Sequence, residues 1–362
     1  MINKVAIIIL NWYGWKDTIE CLESVFRLNY PNYQVIVVDN CSHDGSMKYI
    51  KEWAEGEREI LSPEPTHPLY HLSHPPVQKP IPYIEYRRKI GEAGGLIDEE
   101  RLLYEKLPKG FSHPLILIQT DDNLGFSGGN NVGIRYALAK GAFDYIWILN
   151  NDVVVENDSL KNLIKIDYTK TCIIGSIICS YKRPELIQTV GGAKFNKYLL
   201  RSKYVFSNYS LNEIKQLSLD YLNRVDYISG AALLVPVKYI FDVGLLDERF
   251  FLYYEELDWQ IRGAELGYGF KIAFDSIVYH KEGATIGSSK ILSEKSAKSE
   301  YFSNKSAIVF ALKHYGSYGK IFITLRFFAK LLSYIVSGKI YLIKILISSY
   351  MDFLLFPKKN VN

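Results

Sequence analysis

The sequence predicts an α/β fold with a mostly parallel central sheet flanked by helices and a helical C-terminal extension. Two observations carry the sheet. Four short runs in the first half, VAIIIL, YQVIVVDN, HPLILIQ and YIWILNND, are β-branched, lack polar alternation and end in polar residues. Strands read this way when both faces are covered, as in a parallel sheet. Helical spacing separates the runs: Ile19, Leu22, Val25 and Phe26 share one side of Trp15 to Leu28, and Val132, Tyr136 and Ala139 share one side of Gly129 to Lys140. In such a sheet, ligands meet the carboxyl ends of the strands.

Composition bounds the rest. The 362 residues are 48% hydrophobic and 23% charged, enough for a substantial core and for one large domain with additions or two domains. A net charge of +4 is too mild to indicate a nucleic-acid partner. Cys21, Cys41, Cys172 and Cys179 form no C-x-x-C pair, so they are expected as reduced thiols rather than a zinc site or disulfide framework. The N-terminal apolar run is only Val5 to Leu10, with no small-residue cleavage pattern behind it. It reads as a core strand, and the expected compartment is the cytoplasm.

In chain order, residues 1–56 supply strand, helix and strand, followed by a turn that caps a helix starting near Ser46. Residues 57–113 break the rhythm: seven of the 13 prolines fall between Pro63 and Pro82, which predicts a surface insertion, helical near Ile97 to Lys106. His67, His71 and His74 lie inside it and are read as residues of a solvated loop, not metal ligands. Residues 114–312 resume the sheet, with CIIGSIIC, QTVGGAKF, VDYISGAALLVPVKYIFDVG and GFKIAFDSIVYHKEG as strands and turns of a mixed continuation. From about Tyr315 the chain becomes apolar, but Arg326, Lys330, Lys339 and Lys344 leave no 18-residue uncharged run, so no spanning helix is expected. Apolar helices carrying Lys and Arg suit the surface of an anionic bilayer. Packing on the sheet domain or on a second subunit is the alternative for residues 313–362.

Four polar segments carry chemistry. In VVDNCSHDGS, Asp39 ends a strand and can accept from the imide N–H of a uracil or thymine ring; the same residues also make an ordinary capped turn. In DDNLGFSGGNNVG, Gly125, Gly128 and Gly129 admit a ligand close to the backbone at a helix start, without the G-x-G-x-x-G dinucleotide spacing. In WILNNDVVV, Asn150, Asn151 and Asp152 put hard oxygen ligands at a strand tip, suited to Mg²⁺ or Mn²⁺ shared with a diphosphate; an Asx turn would use the same residues. In DERFFLYYEELDWQIRG, Glu255, Glu256 and Asp258 crowd a helix start among aromatic residues. The helix dipole stabilises acids there, and aromatic surroundings raise a carboxylate's proton affinity toward that of a general base. His280, in VYHKEG, stands after a strand within reach of a metal.

Taken in order, IILNWYGWKDTIECLESV, VIVVDNCSHDGS, NLGFSGGNNVGIRYAL, WILNND, ISGAALLVPVKYIFDVGLLDERFFLYYEELDWQIR and VYH closely resemble the family 2 glycosyltransferases of GT-A fold, especially the rhamnosyltransferase-like branch that builds cell-surface glycans. The resemblance covers roughly residues 3–56 and 114–312. It implies a Rossmann-like GT-A domain and an inverting transferase. Asn11 and Asp39 would hold the nucleotide base, and Asn123, Gly128 and Asn131 would line the nucleotide pocket. Asn150-Asn151-Asp152 would stand where the family has its D-x-D, Asn151 beside the nucleotide and Asp152 as main metal ligand, with His280 completing the site. Glu255-Glu256 would occupy the family's Glu-Asp pair, Glu256 as base and Glu255 as its competitor. Two departures stand out: Asn-Asn-Asp carries less charge than D-x-D, and the second acid is a longer Glu.

The resemblance further implies a dTDP- or UDP-sugar donor, a cell-surface or lipid-linked glycan as acceptor, a divalent cation, and peripheral contact with the inner face of the cell membrane. A nucleotidyltransferase would share the pyrimidine pocket and Mg²⁺ but normally shows a basic glycine-rich loop near its N-terminus. The missing dinucleotide fingerprint disfavours an oxidoreductase. A non-catalytic scaffold would not need Asp152 together with Glu255-Glu256.

Overall fold

The computed structural model describes residues 2–60, 63–105, 107, 113–166, 169–217, 225–281 and 292–355. Its strands are β1 (Val5–Asn11), β2 (Tyr33–Asp39), β3 (Tyr83–Arg87), β4 (Leu115–Gln119), β5 (Tyr145–Asn150), β6 (Val153–Val155), β7 (Cys172–Ser180), β8 (Ile187–Val190), β9 (Gly192–Asn196), β10 (Arg201–Tyr204), β11 (Tyr227–Ile228), β12 (Ala232–Pro236) and β13 (Gly269–His280). The helices that shape the site are α1 (Trp15–Val25), α2 (Ser46–Glu55), α3 (Gly125–Lys140), α4 (Glu255–Glu265), α5 (Leu292–Val336) and α6 (Tyr341–Leu355).

Ten strands form the central sheet in the order β3-β4-β2-β1-β5-β12-β7-β13-β6, with β8 added on β7. The half from β3 to β5 is parallel throughout, and β12 enters antiparallel between β5 and β7. β1 shows why the apolar runs lack alternation. Val5, Ile7 and Ile9 join one core with Ile19, Leu22 and Trp53 of α1 and α2, while Ala6 and Ile8 join a second core with Val132 and Tyr136 of α3. Both faces are therefore apolar, and the polar residues collect at the strand ends. Register then aligns those ends: Asn11 pairs with Asp39, Asp39 with Gln119, and Leu10 with Asn150.

The segment expected as a surface insertion contributes β3, the edge strand of this sheet, paired parallel with β4. Glu85 and Arg87 point outward from it, and charges on an edge strand hinder pairing with other chains. That charge is what hides the strand from a search for apolar runs. The helix expected near Ile97 to Lys106 spans Ile97–Tyr104. His67 stacks on Tyr181 and His74 on Tyr70, and among the described residues no group of three or more His, Cys, Asp or Glu makes a metal site.

α5 runs through the boundary expected at 312/313, and its helical backbone breaks instead at Gly316 (φ 52°, ψ −125°). Before the break, Ala307, Phe310 and Ala311 pack on Leu200, Tyr227, Phe250 and Leu257. Beyond it, α5 and α6 share a small core around Tyr334, Leu342 and Leu346. Among the described residues no helix is long and apolar enough to cross a membrane.

Candidate active site

The strand tips hold a chain of buried polar groups. Asn11 Nδ2 donates to Asp39 Oδ1 (2.5 Å) and Thr18 Oγ1 donates to Asn11 Oδ1 (2.8 Å). The other oxygen of Asp39 accepts from the Ser42 N–H (3.0 Å) and from Gln119 Nε2 (2.9 Å). Asn151 Nδ2 donates onward to Thr18 Oγ1 (3.0 Å). This satisfies groups that would be costly to bury alone. It also fastens β1, β2, β4 and β5 at their carboxyl ends.

Beside these tips lies a cavity of ≈ 370 Å³ lined by Asn123, Asn151, Asp152, Glu255, Glu256 and His280. Asp152, from the β5–β6 turn, and the acidic pair at the start of α4 thus face one space although about a hundred positions separate them. His280, at the end of β13, places Nε2 3.2 Å from Asp152 Oδ1. Its Nδ1 lies 3.0 Å from Gln188 Oε1, which orients the ring. β13 pairs antiparallel with β6, and this brings His280 opposite Val153, next to Asp152.

Four of the residues expected at the site stand outside this lining. Asn11 and Asp39 are engaged with each other and their neighbours as described. Asn131 Nδ2 donates to the Leu246 carbonyl (2.9 Å) and Glu248 Oε1 (3.0 Å), and its Oδ1 accepts from the Leu246 N–H (3.2 Å), so it ties α3 to the 246–248 loop. Gly128 packs against Leu124, whose Cβ would lie 2.7 Å from an added Cβ. Gly125 matters more directly. Its φ is +70° and an added Cβ would meet the Phe251 carbonyl oxygen at 2.4 Å, so only glycine lets the cavity's two loops close this far.

The acidic pair is placed by strained backbone. Tyr253 and Tyr254 take φ of 70° and 71°, a left-handed conformation that disfavours bulky side chains. Side chains hold it: Tyr254 hydroxyl donates to the Leu200 carbonyl (2.5 Å), Tyr253 hydroxyl meets Ser299 Oγ (2.6 Å) and Ser306 Oγ donates to the Leu252 carbonyl (2.8 Å). Burial pushes the Glu255 carboxyl well above the usual range, and the neighbouring Glu256 charge adds to it. Burial also raises Glu256, but its own backbone N–H and those of Gly230 and Leu257 oppose the rise. One carboxyl oxygen of each has no hydrogen-bond partner among the described residues. Both carboxyls are thus held above the usual range, Glu255 the more strongly.

Asp258, third in the acidic cluster, does something else. Arg262 Nε donates to its Oδ2 (2.9 Å), while Lys313 Nζ (2.6 Å) and His314 Nε2 (2.7 Å) meet Oδ1. Burial would raise this carboxyl, but the hydrogen bonds from His314 and Lys313 bring it below the usual range.

The donor set fits a divalent cation. Asp152 and His280 offer one carboxylate and one imidazole to the same space, and among the described residues no third His, Cys, Asp or Glu joins them. Sequence reading passed over Asn40, which shapes the cavity wall. Its Nδ2 donates to Asn123 Oδ1 (2.9 Å) and the Gly125 carbonyl (3.1 Å), and its Oδ1 accepts from the Leu124 N–H (2.9 Å). The signal was its place directly after Asp39. Beside Phe251 of the aromatic run before Glu255, Trp12, Phe126 and Phe302 supply aromatic walls that sequence reading did not single out.

A family model described as glycosyl transferase family 2 matches residues 5–64 and 97–234. The chain is 27% identical over 145 residues to the low-salt glycan biosynthesis hexosyltransferase Agl10 of Haloferax volcanii, covering 40% of this chain and 45% of that protein. It is 25% identical over 144 residues to the rhamnosyltransferase WbbL of Escherichia coli, covering 38% and 53%. The matches therefore span about half the length of these curated relatives. The structure superimposes on the mannosyltransferase PcManGT of Pyrobaculum calidifontis, solved with GDP-Man and Mn²⁺, with a TM-score of 0.51 at 10% identity, covering 98% of this chain and 88% of that one. At that identity the likeness speaks for the fold alone.

Proposed function

The chain belongs to glycosyl transferase family 2 with a GT-A fold, and we propose that it is an inverting transferase moving rhamnose or another hexose from a dTDP- or UDP-sugar to a hydroxyl of a cell-surface or lipid-linked glycan. One observation carries this reading: Asp152 with His280, and Glu255 with Glu256, line a single cavity. The donor lies along the strand tips, its diphosphate toward Asp152. Asp152 and His280 would hold a divalent cation, Mg²⁺ or Mn²⁺, whose charge offsets that of the departing diphosphate. Asn123 and Asn151 contact the nucleotide, and Asn11 and Asp39 set the shape of the base end.

Glu256 takes the proton of the acceptor hydroxyl. The oxygen attacks the anomeric carbon from the face opposite the diphosphate, the new glycosidic bond forms, and the carbon–oxygen bond to the diphosphate breaks with its electron pair. The nucleoside diphosphate is a good leaving group and needs no proton. One base therefore suffices, unlike the paired acids of glycosidases. Glu255, whose proton affinity burial and the Glu256 charge both raise, would bring no second negative charge to the incoming diphosphate.

We also propose peripheral membrane contact. Tyr318, Ile321, Leu325, Phe328, Leu332 and Ile335 recur at three- and four-residue spacing on α5 and are all exposed. This is the pattern of an interfacial helix. Calorimetry with UDP and dTDP, with and without Mn²⁺, tests the donor assignment. At least tenfold tighter binding with Mn²⁺, lost in Asp152→Asn, is expected; no binding of either nucleotide removes it.

A further inference from the structure

A second cavity, of ≈ 530 Å³, shares Glu256, Tyr253 and Tyr204 with the first. Three cations line it: Arg201 on β10, and Arg326 and Lys330 one turn apart on α5. Against them stand Glu300 and, where the cavities meet, Glu256. The surplus is one positive charge while Glu256 is ionised and two once it has taken a proton.

Arg326 is only 4% exposed. Its Nη1 donates to the Leu199 and Leu200 carbonyls and its Nη2 to Ser303 Oγ (3.1 Å), but its Nε has no partner among the described residues. A buried guanidinium with an unused donor is costly unless an anion approaches it. Lys330 bonds to Glu300 and Asn304, yet burial and the charge of Arg326 push its ammonium down to about 8. Both features mark a wall with too little negative charge.

We propose that this second cavity is the acceptor subsite and that it recognises a phosphate-bearing acceptor, the phosphate held among Arg201, Arg326 and Lys330 and the reacting hydroxyl at Glu256. The inference rests on the transferase reading and adds the acceptor's chemical class. A phosphate monoanion balances the surplus while Glu256 is ionised and a dianion balances it once Glu256 has taken the proton, and guanidinium groups bind its oxygens with directed hydrogen bonds. The phosphate belongs either to a lipid carrier or to a phosphorylated glycan. α5 carries the exposed apolar row on the same helix as Arg326 and Lys330, which fits a carrier.

Calorimetry on the full chain with saturating UDP and Mn²⁺, so that the donor cavity is filled, tests this with geranyl phosphate, glucose 1-phosphate and octyl glucoside. At least one phosphate probe should bind, at least tenfold more tightly than octyl glucoside. Arg201→Gln and Lys330→Gln should each weaken it at least tenfold, Arg201→Lys should restore most of the loss, and UDP affinity should stay within twofold. Arg201 is exposed, so its substitution reports on binding rather than folding. Tighter binding of geranyl phosphate identifies a carrier; equal binding identifies a phosphorylated sugar. The proposal is overturned if no phosphate probe binds, or if the Arg201→Gln/Lys330→Gln double variant binds them like wild type. Failure of UDP itself to bind would instead defeat the donor reading, and the phosphate probes are then compared without it.

Discussion

At Glu255 and Glu256 two identical side chains meet different surroundings. Glu255 is buried and Glu256 half-buried, and both carboxyls are shifted upward by lost solvation, but only Glu256 has N–H groups of Gly230 and Leu257 beside it. A base works ionised, so the transfer rate should rise with pH through a value above that of an ordinary glutamate and level off beyond it; a kcat/KM profile flat from pH 5 upward would contradict this. The same shift bears on stability. A carboxyl raised on folding contributes fully below its unfolded value, and that contribution is lost as pH rises through the folded value. Glu255→Gln should therefore melt higher than wild type at neutral pH, by thermal scan, and equal it near pH 4. At this scale the sequence was readable where chemistry crowds, in WILNND and DERFFLYYEEL. It was unreadable where a polar residue serves its neighbours. Nothing in VVDN announces that Asn11, Ser42 and Gln119 will surround Asp39, since two of these partners come from other strands.

Among elements, the joint between α4 and α5 holds a cluster of paired charges. Lys313 bridges Asp258 and Asp247 at 2.6 Å each, and Arg262 and His314 complete the cluster. Asp258→Asn removes a buried carboxylate from half-buried Arg262 and Lys313, of which Lys313 keeps Asp247, and should destabilise the fold by about 1–3 kcal/mol, read as a lowered denaturant midpoint with unchanged slope. Because the folded state depresses this carboxyl, its contribution is present above the unfolded value and disappears as pH falls through the folded one. A midpoint within error of wild type at pH 7 would show the cluster to be incidental. The helix start at Glu255 follows from local sequence, but Asp258 turning from its acidic neighbours toward Lys313 depends on how a distant helix docks. β3 escaped notice for another reason: Glu85 and Arg87 alternate with its apolar residues and a proline-rich run leads into it, so its sequence resembles a loop.

Over the whole molecule, the parallel half-sheet aligns strand ends and the antiparallel return of β13 along β6 delivers His280 beside Asp152. Strand and helix alternation foretold the first; the second is a matter of topology that spacing alone does not encode. The exposed row on α5 belongs to this scale too. Phe328→Ser with Leu332→Ser should lower binding to vesicles containing one-third anionic lipid at least tenfold in a flotation assay, with nucleotide binding untouched; undiminished flotation would assign the row to protein packing. The central claim remains that one cavity holds both the diphosphate end of the donor and the base. Its most direct measurement is the rate of sugar transfer by Glu256→Gln set beside the variant's UDP affinity in Mn²⁺. The account predicts a loss of about 10²–10⁴-fold in rate with affinity within twofold of wild type. Near-normal transfer by Glu256→Gln, with the loss falling on Glu255→Gln or on neither, would contradict it.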